Sequence, residues 1–136
     1  MKIKKYLLLS LCLIIIAVTF CSCGTTTEYD GRYYIDTMNG YKMDIILGYF
    51  KESEDEEIRK LGELDPNEMY IELNNGTFTM TSIEGNPSSG KIKFDGNKVK
   101  FIVTVDDTDE ESPYYPIENG SITMSDGDYT IVYKKR

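Results

Sequence analysis

Three cysteines, one run of carboxylates and eleven tyrosines are the side chains here that could do chemistry; the 136 residues include no histidine and no tryptophan. Without histidine there is no Ser/His/Asp triad, no Cys/His pair and no His-ligated zinc. Asp106-Asp107-Thr108-Asp109-Glu110-Glu111 places five carboxylates in six positions, the donor type a calcium ion takes. The run lacks the central glycine and ligand spacing of an EF-hand loop, so it reads as a solvated loop joining two strands. Asp126-Gly127-Asp128 reads as a hairpin turn. Glycoside cleavage needs two acids converging in a cleft, yet Asp36, Asp44 and Glu72 alternate onto an outer strand face. The inner positions hold no lysine for a Ser–Lys dyad, and no glycine-rich phosphate loop opens a helix. We therefore expect no catalytic residue, no metal and no cofactor, that is, a protein that is not an enzyme. Fifteen basic against 23 acidic residues, a net charge of −8, argue against a nucleic-acid partner, which needs clustered Lys and Arg.

The cysteines belong to an address. Residues 1–5 include three lysines, and residues 6–20 are an uncharged run of 15 dominated by Leu, Ile and Val. A basic start and a short apolar run form a secretory signal; the run falls short of the ~20 residues that span a bilayer as a helix. Its end, Val18-Thr19-Phe20-Cys21-Ser22-Cys23-Gly24, resembles a bacterial lipobox. The resemblance implies diacylglycerol transfer to a cysteine sulfur and cleavage just before that cysteine. Cys23 is the better candidate, with small Ser22 before it and Gly24 after it, whereas Cys21 follows bulky Phe20. Two acyl chains give stable anchoring where one does not. The expected organisation is a signal peptide over 1–22, a lipidated tether over 23–30 and a β domain over 31–136. The membrane is then a partner through the lipid anchor, and the domain lies on the extracytoplasmic face of the cell membrane.

Cleavage removes Cys12, Cys21, Lys2, Lys4 and Lys5. The remaining chain has 12 basic and 23 acidic side chains, a charge of −11, and one cysteine. No disulfide can form within it, so the core must hold the fold alone. The body should be repelled by anionic lipid, and residues 24–30 reach at most ~25 Å.

From Gly31 onward, short alternating runs are broken by turn signals. Residues 32–38 and 41–47 flank Asn39-Gly40. Residues 69–73 and 77–82 flank Asn74-Asn75-Gly76, and residues 91–94 and 98–105 flank Asp95-Gly96-Asn97. Residues 114–117 and 121–124 flank Glu118-Asn119-Gly120, and residues 129–134 follow Asp126-Gly127-Asp128. One helix interrupts the meander. Ser53 and Glu56 match a capping box, Ile58 and Leu61 share a face, and Gly62 with Pro66 stops it. Alternation points Tyr33, Ile35, Met43, Ile45, Leu47, Met69, Ile71, Leu73, Phe78 and Met80 inward. The same rule sends in Ile92, Phe94, Val99, Phe101, Val103, Val105, Ile122, Met124, Tyr129, Ile131 and Tyr133. The expected fold is all-β: an antiparallel meander closing into a lipocalin-like barrel of 8–9 strands with one short helix.

These runs, from Gly31-Arg32-Tyr33-Tyr34-Ile35 through Met69-Tyr70-Ile71-Glu72-Leu73 and Gly76-Thr77-Phe78 to Gly120-Ser121-Ile122-Thr123-Met124 and Val132-Tyr133-Lys134, resemble a group of small lipocalin-like lipoproteins of Gram-positive bacteria. The resemblance implies a fold and carries no functional residue with it. Two roles remain open: an interaction or structural lipoprotein with a solid core, whose partner is an envelope protein, or a carrier with a small apolar ligand in the barrel. An eight-stranded barrel only just accommodates its own side chains or one small ligand, and the bulk of the inner set favours a filled core. Pro113-Tyr114-Tyr115-Pro116 could form an aromatic rim that stacks on a glycan or lipid tail, although tyrosine also suits half-buried strands for packing reasons alone.

Overall fold

The computed structural model describes residues 26–81 and 87–136. The expected signal, Cys23, and the end of the expected strand at Ser82 lie outside the described residues. Local chain chemistry sets the hairpins. Asn39-Gly40, Asn75-Gly76 and Asn119-Gly120 all have positive φ at both positions, the conformation that matches the right-handed twist of the flanking strands.

These turns join β1 (Gly31–Met38) to a two-residue β2 (Tyr41–Lys42), β3 (Tyr70–Asn74) to β4 (Thr77–Met80), and β8 (Tyr115–Glu118) to β9 (Ser121–Asp126). The remaining strands are β5 (Ser88–Asp95), β6 (Lys98–Val105), β7 (Thr108–Glu111) and β10 (Tyr129–Lys135). Neighbours run β10-β9-β8-β6-β5-β4-β3-β1, and β1 pairs back onto β10. The result is an eight-stranded, closed, antiparallel barrel of lipocalin-like architecture, with β2 added to β1 and β7 added to β6. Closure runs from Tyr33 opposite Lys135 to Met38 opposite Ile131, with a register shift between Ile35 and Thr37 that makes Asp36 a bulge.

The core is one cluster drawn from every barrel strand, including Tyr33, Ile71, Leu73, Phe78, Ile92, Val99, Phe101, Ile117, Ile122 and Tyr133. Phe78 on β4 and Phe101 on β6 meet edge to face at 4.9 Å. They flank β5, where Gly90 sits opposite Phe78. A Cβ at Gly90 would collide with the Ile102 carbonyl and crowd the Phe78 ring, so glycine is required at this close approach.

Several expectations need correction. The strand expected over residues 41–47 stops after Lys42, where the chain becomes helix α1 (Met43–Lys51). Met43 and Leu47 are buried four apart, and Ile46 and Phe50 pack against the core from the same helix. That helical spacing of apolar residues outcompetes the alternation. Ile45 consequently points outward, and Asp44 lies in a helix first turn instead of on a strand. The helix expected after Ser53 is present as α2 (Glu56–Leu61), but its N-cap is Asp55, whose carboxylate accepts from the N–H of Glu57 and Ile58. Ser53 instead accepts from the Asp55 N–H. Val105 and Tyr129 are exposed; each ends its strand beside a turn, beyond the reach of the packed interior. Ile102, outward by alternation, is buried outside the main cluster, and Ile117 joins the core.

Candidate functional site

The chain just beyond the expected anchor is strapped onto one end of the barrel. The buried Tyr33 hydroxyl donates to the Tyr29 carbonyl at 2.6 Å, and the Tyr29 ring lies 5.3 Å from Phe94. The Asp30 carboxylate accepts from the Asn75 N–H at 3.1 Å. Burial first, then the nearby Asp30 charge, pushes the Tyr33 hydroxyl up to about 12. Tyr29 and Asp30, expected as part of a tether, are therefore held against the barrel.

The acidic run is a hairpin, correcting the expected loop. Asp106 and Asp107 both adopt positive φ, and Thr108–Glu111 returns as β7 against β6. Its carboxylates are dispersed by the strand: Glu111 pairs with Lys100 at 3.0 Å, and Asp109 accepts from the Thr104 hydroxyl at 2.7 Å. Among the described residues no group of three or more candidate ligands converges on a metal position.

The Pro113–Pro116 segment divides. Tyr114 is exposed and stacks on the Lys100 ammonium at 4.6 Å. Tyr115 enters β8 and approaches Phe101 at 6.2 Å; burial raises its hydroxyl above the ordinary range. On the outer face of β1 and β3, Tyr34 and Tyr70 lie 5.8 Å apart, flanked by the guanidinium of Arg136 over Tyr34 and that of Arg32 over Tyr70. Arg32 also pairs with Glu72 at 3.1 Å.

Asp36, the bulge residue, receives Lys42 at 3.1 Å and Lys134 at 3.4 Å. Burial opposes its charge, but the two lysines outweigh burial and hold its carboxyl below the usual range. It borders a polar cleft of about 570 Å³ that also includes Met43, Asp44, Asn67 and Arg136. Within this cleft Arg136 donates to the Asn67 side-chain amide oxygen at 2.6 Å, and Lys42 donates to the Asp36 carboxylate.

A second, mainly apolar cleft of about 330 Å³ lies on α1, formed by Tyr41, Ile45, Ile46, Tyr49 and Phe50. Sequence reasoning missed this site because it followed the strand-like alternation. The signal that finds it is the pair of interleaved four-residue spacings, Met43/Leu47 for the core and Ile45/Tyr49 for the opposite side, with Tyr41 joining from β2.

Cys23, the expected lipidation residue, lies outside the described residues. Among the described residues no helix is long and apolar enough to cross a membrane. Compared with protein-family models, with curated proteins and with solved structures, the chain finds no match in any of the three.

Proposed function

We propose that this protein is a lipoprotein held on the extracytoplasmic face of the cell membrane through Cys23, and that its barrel is a non-catalytic interaction module acting through its outer surface. The observation that carries the second half is the inward packing: Phe78, Phe101 and Tyr115 meet in a chain of ring contacts across β4, β6 and β8. An interior occupied by its own aromatic side chains leaves the outside as the working surface. The anchor reading rests on the basic start, the apolar run and Ser22-Cys23-Gly24.

The strap at Tyr29 makes the tether short. The six residue steps from Cys23 to Tyr29 reach at most ~21 Å, so the β1 start stays near the lipid surface. Cys23→Ala should abolish metabolic labelling with a fatty acid and leave unprocessed precursor. Persistent labelling of that variant would move the anchor to Cys21, and absence of label in the wild type would remove the anchor altogether. Uptake of a lipophilic dye into the barrel of the wild type would convert the module into a carrier.

A further inference from the structure

We propose that the outward face of α1 is the docking surface of this module, and that its occupant is a cationic, amphipathic segment of another protein. The inference rests on the surface-acting reading above and names the surface. Tyr41 on β2, and Ile45 and Tyr49, four apart on α1, are 65%, 50% and 72% exposed. With Ile46 and Phe50 they form the 330 Å³ cleft, and Ile45 and Tyr49 continue into a shallower groove with Gly48 and Glu52. The fold does not need them there: Met43 and Leu47 supply the core side of the helix. Contiguous large apolar groups on a small domain mark an interaction site. A cleft this size accepts one or two apolar anchors.

Charge selects the occupant. Residues 41–57 carry two lysines and six carboxylates. Lys42 is tied to Asp36, while Asp44 begins the helix and Glu52 lines the adjoining groove. Acidic α2 follows directly, with Asp55, Glu56 and Glu57 around its first turn. Residues 26–136 together hold 12 basic and 23 acidic side chains. A second copy would oppose like charge to like, and an anionic bilayer would do the same. A segment with Leu or aromatic anchors and flanking Lys or Arg satisfies both the cleft and its rim, in the manner of helix-in-groove recognition. Position agrees with this choice. The strap at Tyr29 fixes the start of β1 near the tether, whereas Lys42, which leads into α1, pairs with Thr37, six steps and ~20 Å along that strand. The face thus lies apart from the strapped end of β1.

The test uses the full chain in phosphatidylcholine nanodiscs and a fluorescein-labelled Leu/Lys amphipathic helical peptide, read by anisotropy, with a Leu/Glu peptide of identical spacing as comparison. The Leu/Lys peptide should bind with micromolar affinity and the Leu/Glu peptide should not. Ile45→Asp adds negative charge but destroys the apolar anchor, so it should weaken binding by roughly tenfold or more; Tyr49→Ala should weaken it in the same direction. Both side chains are at least half exposed, and unchanged melting temperatures would confirm intact folds. Binding that is unchanged or strengthened by Ile45→Asp would reduce the effect to charge alone and overturn the proposal. Equal binding of the Leu/Glu peptide would overturn it too, as would self-association of the wild type abolished by Ile45→Asp. Failure of Cys23 labelling would sink the anchor reading while leaving the peptide isotherm standing, so the two failures are distinguishable.

Discussion

Truncating Phe101 to alanine removes the ring that links the two sides of the β5 glycine gap. Phe101 is 5% exposed, meets Phe78 at 4.9 Å and approaches Tyr115 at 6.2 Å. Burying an aromatic side chain removes ~150–200 Å² from water, which at ~25 cal/mol per Å² is an upper bound of ~4–5 kcal/mol. Residual compactness of the unfolded chain lowers that, and the unfilled cavity adds to it, leaving ~3–5 kcal/mol. The backbone bonds survive the substitution, since the Phe101 N–H donates to the Ser112 hydroxyl oxygen and its carbonyl accepts from the Ser112 N–H. The loss therefore reports side-chain packing alone. With a urea dependence of ~2 kcal/mol per molar for a domain of this size, the midpoint should fall by ~2 M. Val105→Ala on the same strand, 45% exposed, should shift it by a small fraction of that. A denaturant melt of wild type and both variants, with a lipophilic dye present in a parallel series, makes the measurement. A loss under ~1.5 kcal/mol at unchanged slope, together with dye uptake by the wild type, would refute the filled interior and favour a carrier.

Alkaline pH should weaken the fold through Tyr33. Its hydroxyl is held up to about 12 in the folded chain but ionises near 10 when unfolded. Its contribution is fully present below pH ~10 and is lost above it, at up to ~1.4 kcal/mol per pH unit. Melts between pH 9 and 12 should fall with a slope that Tyr33→Phe makes shallower, at the cost of ~1 kcal/mol near neutrality for the missing bond to Tyr29; parallel slopes would contradict the assignment. Burial likewise raises Tyr133, which leaves a residual slope in that variant. At the β6–β7 turn, Asp107 has φ +61°, which costs a side-chain-bearing residue ~1–2 kcal/mol. Asp107→Gly should recover part of this, raising stability by ~0.5–1 kcal/mol after the glycine entropy cost; a drop in melting temperature would contradict the turn geometry.

The sequence by itself determined the features whose cause is local. Asn-Gly pairs reach positive φ at little cost, so Asn39-Gly40, Asn75-Gly76 and Asn119-Gly120 announce their hairpins wherever they occur. The alternation of Val99 and Phe101 against Lys98 and Lys100 names the inner face of β6 before any partner strand is known. The tertiary structure decided what depends on distant partners. Pairing of β1 with β10 joins residues about a hundred apart, and nothing in either strand encodes that match. Residues 41–47 satisfy both a strand and a helix period; the buried places taken by Met43 and Leu47 select the helix and turn Ile45 and Tyr49 outward. Asp106-Asp107 lacks the glycine that marks the other tight turns, and it became one because β7 gains a full ladder on β6. The strand expected from Lys91 starts three residues earlier, because Ser88-Ser89-Gly90 pairs with Phe78–Met80 on β4 and Gly90 leaves room for the Ile102 carbonyl and the Phe78 ring. In each case the local preference was weak or divided, and burial against residues far along the chain tipped it.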